Sequence, residues 1–370
     1  MHVSNLKTMI KEYVPDSILE FRGRALHVLQ DLKRIPQFVD DIGTYYPDSE
    51  RKSKLRILLE YGWWVWTYKE LNPDYFLYGL DRKHTTLDEY LSHPTFAEIR
   101  DRGNDEAYTG LLRDKFVFAQ LATSLGIATP EPIAILDDSR LEWLSPRRTQ
   151  TSLDALLERD LDAVCKPVCG GQGQGVFGLR TTDETLFIDG EPTPLDSLRE
   201  RITERYLLQQ RIDQHEKLDA LHPSSVNTLR LITARTNGDV DLLSSVLRVG
   251  AGGACTDNLS RGGMIAYVDP ATGTVQSPGV FKYGPRSTFE RHPDTGVPLD
   301  GYTIPHFRKA LDLARQFHAD LHGLRTIGWD VAITPDGPTV LEGNSEYGGS
   351  IPQTVDDGFK DRFLALFDEI

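Results

Sequence analysis

GWDVAITPDGPTVLEGN, residues 328–344, is the stretch that decides the fold. Two runs rich in β-branched residues flank Pro335-Asp336-Gly337, a turn sequence, so the segment reads as two adjacent strands joined by a tight turn. Glu342 and Asn344 are two apart and share one side of their strand, and Asp330 on the partner strand can converge with them. All three supply oxygen, the ligand type magnesium takes, with waters and nucleotide phosphates completing its octahedron. Solvated strand carboxylates are the alternative. Against it stand the apolar neighbours Val331, Ile333, Val340 and Leu341, among which a carboxylate is costly unless paired or bound to a cation. Asp330, Glu342 and Asn344 are therefore expected metal ligands, for Mg2+ or Mn2+.

Outward from this hairpin, PHFRKALDLARQFHADLHG (305–323) predicts a helix with Pro305 in its first turn and Gly323 as its C-terminal cap. From about residue 161 the pattern turns to strands: DAVCKPV, GVFGLR, ETLFIDG, RYLLQQRI, VNTLRLITART and DVDLLSSVLRVG, separated by turn-forming residues. Before them, RDKFVFAQLATSLGIATPEPIAIL (113–136) carries a helical stripe of Phe116, Phe118, Leu121, Ala122 and Leu125 that stops at Gly126, after which Pro130 and Pro132 lead into an extended run. Residues 1–110 read as a mostly helical N-terminal region, for example KLRILLEYGWWVWTYKEL (54–71), and the polar stretch 92–110 reads as a boundary. The fold class is α/β (α+β), with divisions expected at 1–110, 111–215 and 216–370.

CKPVCGGQGQGVFGLR (165–180) formally contains GxGxxG at 173–178. A dinucleotide-binding turn requires a helix directly after the glycines, and Val176-Phe177-Gly178-Leu179-Arg180 reads as a strand instead. No GxxxxGK[ST] occurs, which excludes a P-loop. A glycine-rich turn between two strands fits better, because residues without Cβ let backbone N–H groups approach phosphate oxygens. Lys166 lies on the strand entering that turn. An ordinary glycine-rich hairpin with a solvated Lys166 is the competing reading of this string alone.

A net charge of -14 on 370 residues argues against non-specific binding to nucleic acid or anionic membrane. The N-terminal MHVSNLKTMIKEYVPDS lacks the apolar core of a secretory signal, and no stretch approaches the length of a spanning helix. A cytoplasmic location is expected. The three cysteines, Cys165, Cys169 and Cys255, lack CxxC spacing and are expected to be buried free thiols.

Taken in order, KPVCGGQGQGV, NTLRLIT and GWDVAITPDGPTVLEGN resemble the ATP-grasp superfamily over about residues 113–350, and are most similar to its sugar-transfer-associated branch. YFLYGLD and RDKFVFAQLATSLGIATPEP resemble that branch too. The resemblance implies two α+β subdomains clamping ATP, with Lys115 and Lys166 holding the α- and β-phosphates under a loop containing Gly171, Gly173 and Gly175. It implies that the backbone of Gln210, Arg211 and Ile212 meets adenine and that Glu216 meets the ribose, with Asp213 as the substitute. The family often has an acidic residue where Gln209 stands. Arg230 is implied beside the transferred phosphoryl group, where a guanidinium suits spread anionic charge. Asn258, Arg261, Gly348 and Gly349 are implied at the acceptor; for DNLSRGGMIAYVD (257–269) a plain hairpin loop competes.

By the same resemblance the protein is an ATP- and magnesium-dependent carboxylate–amine ligase that works through an acyl phosphate, with Arg230 and Lys166 as its catalytic residues. Its partners are a small-molecule carboxylate and an amine, or a sugar or peptide. No Cys–His or Ser–His pair stands out as a nucleophile, which agrees with catalysis by positioning and charge neutralisation. A kinase, an enzyme transferring acyl groups to a sugar hydroxyl, and an inactive ATP-binding regulator remain open. The sequence does not specify an oligomeric state.

Overall fold

The computed structural model describes residues 35–42, 48–137, 140–145, 147–171, 173–253, 257, 259, 262–276, 278–281 and 288–367. The division between the chain's two compact units falls between Thr95 and Phe96. In the N-terminal unit the helix Lys54–Tyr68 starts at Ser53, whose hydroxyl accepts the Arg56 N–H at 3.3 Å, and stops at Lys69 in the left-handed region. Ile57 and Tyr61 face inward against Phe38, Tyr75, Tyr78 and Leu80. The Lys52 ammonium is buried but doubly satisfied, by Glu60 Oε2 at 2.6 Å and the Leu80 carbonyl at 2.8 Å.

The polar stretch 92–110, read as a boundary, contains the division between the two units and carries two helices. Pro94 falls in the first turn of the helix His93–Gly103, where a missing N–H costs nothing, and Asp105 caps the helix Glu106–Arg113 by accepting the Ala107 N–H at 2.9 Å. Phe96 and Leu112 hold the two helices inward. Asp114 then caps the helix Lys115–Ser124 through the N–H groups of Phe116 and Val117, both at 2.9 Å.

Two antiparallel sheets follow. The first contains β1 (Pro132–Asp137), β2 (Arg140–Trp143), β3 (Thr149–Ser152), β4 (Leu161–Pro167), β5 (Phe177–Thr182), β6 (Thr185–Ile188), β7 (Glu191–Pro192) and β8 (Tyr206–Gln210), in the order β3-β2-β1-β8-β4-β5-β6-β7. Its core gathers Leu136, Leu141, Ala163, Cys165, Leu179 and Leu208, with Leu198 from the helix Leu195–Arg201. The second contains β9 (Thr228–Thr236), β10 (Asp239–Val249), β11 (Met264–Tyr267), β12 (Gly279–Phe281), β13 (Thr288–Phe289), β14 (Thr326–Thr334) and β15 (Gly337–Asn344), ordered β13-β12-β11-β10-β9-β14-β15.

The helix Phe307–Asp320 lays Ala310, Ala314 and Phe317 on the second sheet, where Trp329, Val331 and Ile333 share its core. Phe317 stacks on Trp329 with ring centroids 5.0 Å apart, and Trp329 Nε1 donates to Thr233 Oγ1 at 2.8 Å. Because strand side chains alternate, this packing sends Asp330 to the opposite face. The helix ends at Asp320 with Leu321 as its cap, so Gly323 is not the expected cap. Gly323 instead lies against the Tyr108 ring, where a Cβ would come within 2.2 Å of a ring carbon.

Among the described residues no helix is long and apolar enough to cross a membrane. Cys165 is buried and Cys169 is exposed, both as free thiols, so burial holds for only one of the two. Cys255 lies outside the described residues.

Candidate active site

Strand register places Arg230 directly opposite Asp330, and Asp330 directly opposite Glu342. Three charged side chains from β9, β14 and β15 therefore form one row on the face turned away from the Phe307–Asp320 helix. A register shift after Asp330 keeps Glu342 in that row while the rest of the hairpin runs on to its turn. Arg230 grips Asp330 with Nε at 2.8 Å from Oδ1 and Nη2 at 3.1 Å from Oδ2, and Arg248 Nη1 adds a contact at 3.0 Å. Burial alone would raise the Asp330 pKa; Arg230 and Arg248 outweigh it and hold the carboxyl below its ordinary value.

Glu342 is the opposite case. Burial pushes its pKa up, the Asp330 charge pushes it further, and Lys115 and Lys166 offset only part of this. Asn344 stands opposite Gly328 on the same strand face as Glu342, and its Nδ2 is buried without a hydrogen-bond partner among the described residues. Two carboxylates side by side in a buried row supply oxygen ligands that suit a hard divalent cation, whereas the orphaned Asn344 Nδ2 is a hydrogen-bond donor that an anionic oxygen would satisfy.

The opposing wall is built from β4, β8 and the loop after β4. Gly170, Gly173 and Gly175 have φ of 121°, 66° and 71°, a region side chains rarely adopt. Gly175 is also crowded: a Cβ there would lie 2.9 Å from Pro167 and 2.9 Å from the Tyr206 hydroxyl. Gly171 has ordinary φ and open space around it. Lys115 clamps the loop twice, its backbone N–H donating to the Val168 carbonyl at 2.9 Å and its Nζ to the Gly170 carbonyl at 2.5 Å. The same Nζ stands 3.9 Å from Glu342 Oε2. Burial pulls the Lys166 ammonium down to about 8, and Lys115 adds to this while Glu342 and Asp330 oppose it.

Between the walls lies a cavity of about 920 Å³, lined by Lys115, Lys166 and Gly173 on one side and by Arg248, Asp330 and Glu342 on the other. Gln210, Arg211, Ile212 and Asp213 continue the lining. Residues 97–365 match the family described as Sugar-transfer associated ATP-grasp. The chain belongs to the sugar-transfer associated ATP-grasp family. No curated protein matches the sequence. Among solved structures it is similar to a D-alanine-D-alanine ligase from Helicobacter pylori, at 16% identity and TM-score 0.40, over 70% of this chain and 59% of that one. It is also similar to a RimK domain ATP-grasp protein from Sphaerobacter thermophilus, at 16% identity and TM-score 0.37, over 71% and 69% of the two chains. The VanG D-Ala:D-Ser ligase from Enterococcus faecalis is a third, at 14% identity and TM-score 0.43, over 71% and 64%.

In this ATP-grasp protein several residues stand elsewhere than the sequence suggested. Arg230 does not line the cavity. It lies behind Asp330, beside Gly328, where a Cβ would come 3.2 Å from its Nη1. The Gln210 and Arg211 N–H groups are already committed, to the Glu131 carbonyl at 2.9 Å and the Asp162 carbonyl at 3.3 Å, leaving Ile212 as the N–H of that trio without a backbone acceptor among the described residues. Gln209 is buried and donates Nε2 to the Pro130 carbonyl at 3.1 Å, so its amide serves the fold.

Glu216 opens the short helix Glu216–Asp219 and is off the cavity wall, whereas Asp213 is on it. Gly348 and Gly349 precede the helix Ser350–Val355, also off the wall, and Gly349 packs on Phe96 at 2.9 Å from a would-be Cβ. Asn258 and Arg261 lie outside the described residues.

Sequence reasoning missed Arg248, Thr228 and Asp257, all on the cavity wall. One signal was available: Arg248 interrupts the apolar run at the end of DVDLLSSVLRVG, where a guanidinium needs a buried partner. Its charge is secured, because Asp257, Asp330 and Glu342 more than restore what burial takes away.

Proposed function

We propose that this ATP-grasp protein binds ATP with magnesium in the 920 Å³ cavity and joins a small-molecule carboxylate to an amine. The observation that carries the proposal is the in-register pair Asp330 and Glu342, with Arg230 behind Asp330, facing Lys166 and the glycine loop across one cavity. Anion-binding donors on one wall and oxygen ligands on the other are what a polyphosphate with a divalent cation requires. Membership of the ATP-grasp family supports the nucleotide.

Asp330, Glu342 and Asn344 would hold the cation, which supplies charge neutralisation at the phosphate oxygens. Lys115 and Lys166 bind the phosphates, and the loop through Gly171 and Gly173, which lines the same cavity, lets backbone without a Cβ come close to them. Ile212 faces the base and Asp213 the ribose. Arg230 holds the Asp330 carboxylate in place.

In the reaction, a substrate carboxylate oxygen bonds to the γ-phosphorus as the bond to the bridging oxygen of ADP breaks, giving an acyl phosphate. The amine nitrogen then bonds to the acyl carbon, phosphate leaves, and the amine proton passes to solvent. The family's association with sugar transfer favours one second reading, a sugar hydroxyl in place of the amine or as the phosphoryl acceptor.

Phosphorus NMR of turnover with ATP, magnesium and a panel of carboxylates and amines tests the proposal. Free phosphate appearing with ADP, and trapping of the acyl group as a hydroxamate, are the expected results. Phosphorus retained on the acceptor would establish a kinase. No ADP formation with any pair would leave an ATP-binding regulator.

A further inference from the structure

The helix Lys54–Tyr68 is apolar on two sides, and the packing of its own unit accounts for one. Ile57, Tyr61 and Trp64 are buried. On the other side Leu55, Leu58, Leu59, Trp63 and Trp66 are exposed by 69%, 44%, 64%, 52% and 76%. With 3.6 residues per turn these five and Gly62 fall within an arc of about 140° that contains no charged residue of the helix. Exposed leucines scattered singly are ordinary, but a contiguous arc of two tryptophans and three leucines marks a surface that another body covers.

Gly62 lies near the middle of that arc and near the midpoint of the helix. A Cβ there would meet nothing within 4 Å, so no neighbour in the structure demands a glycine. Glycine is also among the poorest residues for a helix interior. What it permits on an outer apolar face is the close approach of a second helix, whose distance is set by the side chains at the crossing point.

A lipid surface gains nothing from a missing side chain, and a helix lying on a membrane carries Lys and Arg along its polar flank. Here Arg56, beside the arc, is paired with Glu60 at 2.8 Å, and the chain carries a net charge of -14. The area suits a protein partner. The five side chains leave roughly 600 Å² of apolar surface exposed, and two such faces brought together bury about 1,200 Å², where specific protein interfaces begin.

We propose that this face is the contact between two copies of the chain, each laying its Lys54–Tyr68 helix antiparallel on the other's across a twofold axis at Gly62. Residues equally far before and after Gly62 then meet. Leu58 faces Trp66 of the partner subunit, and Leu59 faces Val65 of the partner subunit, so large side chains oppose smaller ones on either side of the glycine crossing. Leu55 reaches Lys69 of the partner subunit, and in each chain the Lys69 ammonium lies over the Trp66 ring at 4.3 Å from its centroid. The antiparallel arrangement also opposes the two helix dipoles and makes the contact self-complementary, as a closed dimer requires.

Sedimentation velocity and light scattering of the full chain over a micromolar dilution series test the proposal. The expected mass rises from one chain to two with concentration. Gly62→Leu adds apolar area and a better helix former, so a merely adhesive face would associate more strongly, whereas a close helix crossing is pushed apart. The dissociation constant is therefore expected to rise about tenfold or more in Gly62→Leu, with the melting temperature of the dilute monomer unchanged or raised. Trp66→Glu is expected to abolish the dimer and leave the dilute monomer's melting temperature unchanged, since that side chain is 76% exposed.

A chain that remains a monomer throughout the series overturns the proposal, as does a Gly62→Leu variant that dimerises as well as or better than the parent. A monomer that sediments with vesicles of phosphatidylcholine and phosphatidylglycerol would assign the face to lipid instead. A monomer that Trp66→Glu destabilises would assign it to residues 1–34 of its own chain. Either result overturns the dimer.

Discussion

The wall of the cavity formed by β4, β8 and the glycine loop works largely through its backbone, with left-handed turns at Gly173 and Gly175 and two lysines, one of which clamps the loop. The wall formed by β9, β10, β14 and β15 works through side chains, with Arg230, Arg248, Asp330 and Glu342 brought together by strand register. A backbone wall is sensitive to a Cβ, and a side-chain wall to the loss of one charge. The difference decides which substitutions damage the fold and which damage only the chemistry.

The largest contrast lies within the side-chain wall. Asp330→Asn removes the buried charge shared by the Arg248 and Arg230 guanidiniums and is expected to cost about 3–5 kcal/mol in urea unfolding, together with all magnesium-dependent ADP formation. Glu342→Gln is expected to abolish turnover equally while leaving stability unchanged or slightly raised, since it removes a carboxylate already destabilised by burial and by Asp330. Equal stability losses in the two variants would erase the distinction between the structural and the purely chemical carboxylate.

On the backbone wall, Gly175→Ala meets a positive φ and two atoms at 2.9 Å, and about 1–3 kcal/mol of destabilisation with weakened nucleotide binding is expected. Gly171→Ala meets neither and is expected to be neutral. Melting curves and Mg-ADP titrations of the pair would show whether the loop owes its conformation to these glycines.

The lysine on that wall sets a pH dependence. With Lys166 near 8 in the free protein, the ammonium is present below that pH and must be regained on binding above it. Nucleotide affinity is therefore expected to hold below pH 8 and to fall as pH rises beyond it, by no more than about tenfold per pH unit for one proton. Lys166→Met should bind weakly and show no such fall; a persisting fall would assign it to another group. The smallest effect expected is a several-fold loss of nucleotide affinity in Asp213→Ala against none in Glu216→Ala, which isothermal titration would resolve.

The two walls were unequally legible in the sequence. Lys166 and its glycines are contiguous, so a local string showed both the turn and the cation beside it. Asp330, Glu342 and Asn344 were legible because one tight turn carries all three. Arg248 lies far from that hairpin in sequence, and its contact with Asp330 depends on the pairing of β10 with β9 and of β9 with β14, which no local pattern encodes. The same limit hid the burial of Phe96 and Leu112 within the boundary stretch 92–110, and the packing of Gly323 on Tyr108.

By itself the sequence determined the family, the order of elements, the glycine turn and the carboxylate hairpin, because each is a property of neighbours along the chain. Only the tertiary structure decided that Arg230 serves Asp330, that Arg248 takes the cavity wall, and that Asp213 stands there in place of Glu216. Those outcomes depend on strand register and on competition for buried hydrogen bonds, and both are settled between residues distant in sequence.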